Sequence, residues 1–156
     1  MESKSVMDKK IEDLLSQLTL EEKLGMIHGD GLFCTKGVER LDIPPLKMSD
    51  GPMGVRNEFE KDKWIAVGNS DDYVTYLPSN SALSSTWNRD LAYRMGQVLG
   101  EEARGRGKDV ILAPGINIKR SPLCGRNFEY MSEDPYSTKV AAVPALPGNP
   151  GAAVAA

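Results

Sequence analysis

An α/β fold with parallel strand pairing is what this 156-residue sequence predicts, on three observations. Two short apolar runs that read as buried strands, Leu46–Ser49 and Asp109–Ala113, alternate with segments carrying the apolar spacing of helices. Each run is followed by a long loop rich in turn residues, so the order is helix, strand, long loop, helix, strand, long loop, helix. Strands that alternate with helices pair in parallel through right-handed crossovers. The length fits one domain around a single core.

The elements follow in order. Ile11, Leu14, Leu15 and Leu18 fall at i, i+3, i+4 and i+7, one apolar face of a short helix. Thr19 with Glu22 three residues on is a capping box, so a second helix starts at Leu20. Pro44 and Pro45 end what precedes them, and the first strand runs into the turn-rich loop Asp50-Gly51-Pro52-Met53-Gly54-Val55-Arg56. Residues 57–77 are charged and irregular and read as loop. Asn88 is a good helix cap; Leu91, Met95, Val98 or Leu99, and Glu102-Ala103 follow at helical spacing to about Arg106, with Gly105 and Gly107 as the stop. The second strand is closed by Pro114-Gly115, and the polar and aromatic loop Asn117–Tyr130 follows. Ser132 reads as the cap of a last helix beginning near Pro135, a residue suited to the first turn.

From Val143 the composition changes. VPALPGNPGAAVAA carries no charge, and Pro144 should end the helix that Lys139–Ala142 would continue. Residues 143–156 are therefore expected to form a disordered or weakly ordered Pro/Gly/Ala-rich tail, set apart from 1–142.

Composition excludes several classes. With 19 basic and 22 acidic residues and no basic block, a nucleic-acid partner is not expected. No stretch approaches the roughly 18 apolar residues of a membrane span. The charged amino terminus lacks an apolar signal-peptide core, which predicts a cytoplasmic protein. Cys34 and Cys124 lie in no metal-ligand spacing and His28 is the one histidine, so neither a metal nor a cofactor is implied. The cysteines read as reduced thiols, with a disulfide left open.

In such folds the informative residues sit just past the strand carboxyl ends, where Asp50 and the loop 117–130 lie. Four segments there and around them carry a resemblance: LTLEEKLGMIHG (18–29), IPPLKMSDGPMGVR (43–56), LPSNSALSSTWNRDLAYRMGQVLGEEARGRG (77–107) and ILAPGINIKRSPLCGRNFEYMSEDPY (111–136). In order and content they resemble the start of glycoside hydrolase family 3, and the SDGPMGVR and GRNFEYMSEDPY forms look most like its β-glucosidase branch.

The resemblance implies a partial (β/α)8 TIM barrel over residues 1–142, of which the chain supplies two or three strands, with 143–156 a disordered or out-of-family tail. A whole barrel takes about 250 residues. It implies a parent enzyme that hydrolyses terminal non-reducing β-D-glucosyl residues from glucosides or oligosaccharides with retention. Asp50, in SDGPMG, is similar to the carboxylate that binds sugar hydroxyls beside the scissile bond. Arg126, in GRNFE, is similar to an arginine that holds the same sugar, and Arg56, in GVR, is a further contact. The residue types suit this role, since a carboxylate accepts several hydroxyl hydrogen bonds and a guanidinium presents a rigid fan of donors. Glu129 and Asp134 are spaced to orient Arg126 or to cap the next helix. Trp64, Trp87, Phe128 and Tyr130 are either sugar-stacking platforms or ordinary packing residues.

Retaining glycosidases need two carboxyl groups about 5–5.5 Å apart, a nucleophile and an acid/base. In the family the nucleophile stands in an SDW-like motif, preceded by a KHF-like pair, and neither motif is present in these 156 residues. The isolated chain is therefore expected to be inactive, and incomplete barrel edges are expected to favour self-association. A second reading is a non-catalytic sugar-binding or regulatory module that keeps Asp50 and Arg126. The bland alternatives are a turn-forming Asp50 and a loop-bracing Arg126.

Overall fold

The computed structural model of the chain describes residues 2–56, 58–68, 74–146 and 153–155. Where length predicts one core, the chain divides into two compact units, Met1–Leu46 and Lys47–Ala156.

The first unit opens with α1 (Glu2–Gln17) and α2 (Leu20–Met26). α1 contains most of the expected helix but begins well before it; Leu18, just past its end, is buried, while Ile11 and Leu15 are exposed. α2 starts as its capping box requires. Thr19 Oγ1 accepts the Glu22 N–H at 3.2 Å, and the Glu22 carboxylate accepts the Thr19 N–H at 2.8 Å. Arg40 donates to both Glu22 carboxylate oxygens, at 2.6 and 2.5 Å, and to the Gln17 carbonyl at 2.7 Å. The Arg40 hydrogen bonds first, and the Thr19 N–H second, lower the Glu22 carboxyl from 4.5 to about 2. His28 lies in this unit, with Nδ1 2.8 Å from the Gly29 carbonyl.

The second unit holds β1 (Met48–Asp50), α3 (Asn80–Ser85), α4 (Arg89–Gly105), β2 (Val110–Leu112), α5 (Pro135–Ala145) and β3 (Ala153–Ala155). The strands form one open sheet in the order β1-β2-β3, with both pairings parallel. Met48, Ser49 and Asp50 face Val110, Ile111 and Leu112, which in turn face Ala153, Val154 and Ala155. This is a mixed α/β arrangement consistent with the opening part of a (β/α) barrel. The core gathers Val55, Leu83, Met95, Leu99, Ile111 and Met131 from the first loop, α3, α4, β2 and the turn before α5. Cys34 and Cys124, one in each unit, are both free thiols.

Several expectations need correction. α3 lies in a stretch before Asn88 where the sequence predicts no firm element. It is capped by the Ser79 side chain, which accepts the Ala82 N–H at 3.2 Å. The cap of α5 is Asp134, not Ser132: its carboxylate accepts the Ser137 N–H at 2.7 Å, while Ser132 Oγ accepts the Asp134 N–H at 3.1 Å. The Ser137 backbone bond also lowers the Asp134 carboxyl below its ordinary range.

Pro144 does not end α5 but stands inside its last turn. The reason is packing. Gly96 of α4 lies so close to Ala145 that an added Cβ would be 2.1 Å from the Ala145 carbonyl oxygen. That approach holds the last turn of α5 although Pro144 lacks its N–H. The expected tail, 143–156, thus contributes helix at 143–145 and the strand β3 at 153–155; residues 147–152 and 156 lie outside the described residues.

Candidate functional site

Asp50 closes β1, opposite Leu112 at the carboxyl end of β2. The chain then turns sharply at Gly51, whose φ is 137° and whose added Cβ would fall 1.7 Å from the Gly54 carbonyl oxygen, so only glycine fits. The loop comes back at Arg56. Its N–H donates to the Asp50 carbonyl and to the Ser49 hydroxyl, each at 3.1 Å. The buried Ser49 hydroxyl donates in turn to the Asp50 carbonyl at 3.1 Å. This closed loop leaves the Arg56 guanidinium 3.5 Å from Asp50 Oδ2.

The stretch beyond, expected to be irregular, contains a short antiparallel hairpin. Phe59 bridges Ala66, the Glu60 N–H donates to Ile65, and the Val67 N–H donates to Glu58, both at 3.0 Å. Arg56 lies over the rings of Trp64, at 5.0 Å, and Phe59, at 5.6 Å. Asp50, Arg56, Phe59, Tyr76, Phe128 and Glu129 line a groove of about 510 Å³.

Arg126 enters through Glu129. Its Nε and one terminal nitrogen donate to the same Glu129 oxygen at 2.9 and 2.6 Å. That bond, then the Glu129 charge, Tyr130 and more weakly Asp50, raises the guanidinium above its already high pKa. Arg126 is a permanent cation beside the groove rather than one of its lining residues. Glu129 orients Arg126 and Asp134 caps α5, which divides the two jobs their spacing left open.

The aromatic candidates separate. Phe128 lines the groove, Trp64 covers Arg56, and the exposed Trp87 borders a different cleft with Tyr136. Tyr130 is buried and packs, so it offers no stacking face to a sugar in the groove.

Sequence reasoning missed the residues that build the Arg126 turn. Asn80 of α3, fully buried, donates to the Glu129 carbonyl at 2.7 Å. Ser81 donates to the carbonyls of Asn127 and Tyr130 at 3.1 and 3.0 Å and accepts from Lys119 at 2.7 Å. Only the run of small polar residues in NSALSS signalled them.

The model of the glycosyl hydrolase family 3 N-terminal domain matches residues 40–156. The chain belongs to this family. Three of the four resembling segments, 43–56, 77–107 and 111–136, fall within this one continuous match, which also includes the Pro/Gly/Ala-rich stretch, while 18–29 lies before it. Among family 3 relatives, the chain is 50% identical over 133 residues to thermostable β-glucosidase B of Acetivibrio thermocellus, covering 85% of this chain and 18% of that protein. It is 47% identical over 139 residues to β-glucosidase BoGH3A of Bacteroides ovatus, covering 89% of this chain and 19% of that one. The solved structure of β-glucosidase 3B from Thermotoga neapolitana in complex with α-D-glucose matches with a TM-score of 0.77 at 40% identity, over 89% of this chain and 21% of its own. The chain thus spans about a fifth of the length of these family 3 proteins.

Proposed function

We propose that this chain supplies part of the sugar-binding wall of a retaining β-glucosidase that removes terminal non-reducing β-D-glucosyl residues from glucosides or oligosaccharides. The observation that carries the reading is Asp50 at a strand carboxyl end, with Arg56 3.5 Å away in an open groove of a family 3 chain. A carboxylate there accepts hydrogen bonds from a pair of sugar hydroxyls, and the guanidiniums of Arg56 and Arg126 donate to others. Such contacts hold and orient a glucosyl unit; they do not attack its anomeric carbon. Hydrolysis with retention requires a nucleophile and an acid/base about 5–5.5 Å apart. Both are assigned to the remainder of the full-length enzyme, and the 156-residue chain alone is inactive.

The test is a titration of the chain with glucose, followed by NMR, beside an assay with an aryl β-glucoside. The expected result is weak saturable binding that Asp50→Asn abolishes, with no hydrolysis. Hydrolysis by the purified chain would overturn the division of labour. Binding indifferent to Asp50 would overturn the site.

A further inference from the structure

We propose that the 58–67 hairpin is a positioning device for Arg56, with Trp64 as the positioning residue. The proposal rests on the sugar-binding reading of Arg56 and adds how that arginine is aimed. The Asp50–Arg56 pair is too exposed to fix a long side chain, with 36% and 38% of the two side chains accessible. What confines the guanidinium is aromatic. It lies 5.0 Å from the Trp64 ring and 5.6 Å from the Phe59 ring, both inside the roughly 6 Å reach of a cation–π contact.

The two rings brace each other edge-to-face, 5.5 Å apart and inclined at 69°. Phe59 stands on the first arm of the hairpin and Trp64 in the turn closed by the Glu60–Ile65 backbone bond, with the Val67–Glu58 bond tying the arms beyond it. The hairpin itself is anchored to the sheet. Lys108, almost wholly buried just before β2, reaches Glu58 at 2.5 Å. Support therefore runs from the sheet through Lys108 and Glu58 to the two rings, and from the rings to the guanidinium facing Asp50. Trp64 is absent from the groove lining, so its effect on a sugar passes through Arg56.

The experiment uses the isotope-labelled 156-residue chain. Ring currents from Trp64 and Phe59 displace the Arg56 side-chain proton signals from their unstructured positions. Trp64→Leu should return those signals most of the way, and Trp64→Phe should keep them displaced. In the same samples glucose affinity should fall roughly 3- to 10-fold in Trp64→Leu and less in Trp64→Phe. Should Trp64→Leu lose its far-ultraviolet helix signal, Trp64→Phe and Lys108→Met decide instead: the displacement must persist in the first and shrink in the second. Undisplaced Arg56 signals in the unmodified chain overturn the proposal. So does a Trp64→Leu chain whose Arg56 signals move while glucose affinity stays the same. If the displacement is present but glucose binding is absent or indifferent to Asp50→Asn, the sugar-binding reading fails and the aromatic support of Arg56 stands.

Discussion

Three donors converge on Glu22: Arg40 Nε, an Arg40 terminal nitrogen and the Thr19 N–H. Its carboxyl is lowered in the folded chain to about 2, so its contribution is present above the ordinary value of 4.5 and is lost as pH falls toward 2. The thermal midpoint should accordingly decline with pH through that window, and Glu22→Gln should show a lower midpoint at neutral pH with a flatter acid limb. A variant whose acid limb matches the unmodified chain would disprove the linkage. Residue pairs of this local kind were legible in advance. The capping box spans three positions of chain and spacing alone names both its partners; the Arg126–Glu129 pair spans three as well, but there the structure divides the roles of Glu129 and Asp134. The pairing of Trp64 with Arg56, and the burial of Tyr130, depend on a hairpin and a core that no local spacing encodes.

Among the elements, α4 shows two opposed effects at one position. Replacing Gly96 by alanine raises helix propensity by about 1 kcal/mol. The new methyl would sit 2.1 Å from the Ala145 carbonyl oxygen, a backbone atom that yields only if the two helices separate. Overpacking of this kind costs about 1–3 kcal/mol, so the clash wins and Gly96→Ala should unfold at lower denaturant than the unmodified chain. An unchanged or higher midpoint would show that α5 does not hold this position. α4 was readable from its cap and its apolar spacing, since seventeen residues give the pattern room to repeat. α3 offers six residues, mostly small and polar, and owes its place to bonds with the carbonyls of 127, 129, 130 and 131. β3 has no run of bulky apolar residues to announce it, and its register comes from β2. Pro144 misled for a related reason: its local preference is set aside by a tertiary contact.

At the scale of the whole molecule, the sheet is open, with β1 and β3 at its edges among the described residues. Edge strands with free backbone groups template further pairing. Self-association of the 156-residue chain is the expected outcome, and sedimentation velocity should report a mass above 17.0 kDa that rises with concentration. A single species at 17.0 kDa over the whole range would argue against it. The family was legible because its motifs lie in several ordered segments, while the two-unit division was not, because contacts rather than composition draw it. The sheet also has a bearing on how such a groove can change. Asp50 is clamped by the ladder to β2 and by the Ser49 hydroxyl, whereas Arg56 and Arg126 are presented by turns. On the sugar-binding reading proposed here, the groove is a vice whose fixed jaw is Asp50 and whose adjustable jaw is Arg56, with Arg126 beside it. Variation in 58–67 or 117–130 can reshape what the groove grips without shifting the carboxylate it is gripped against.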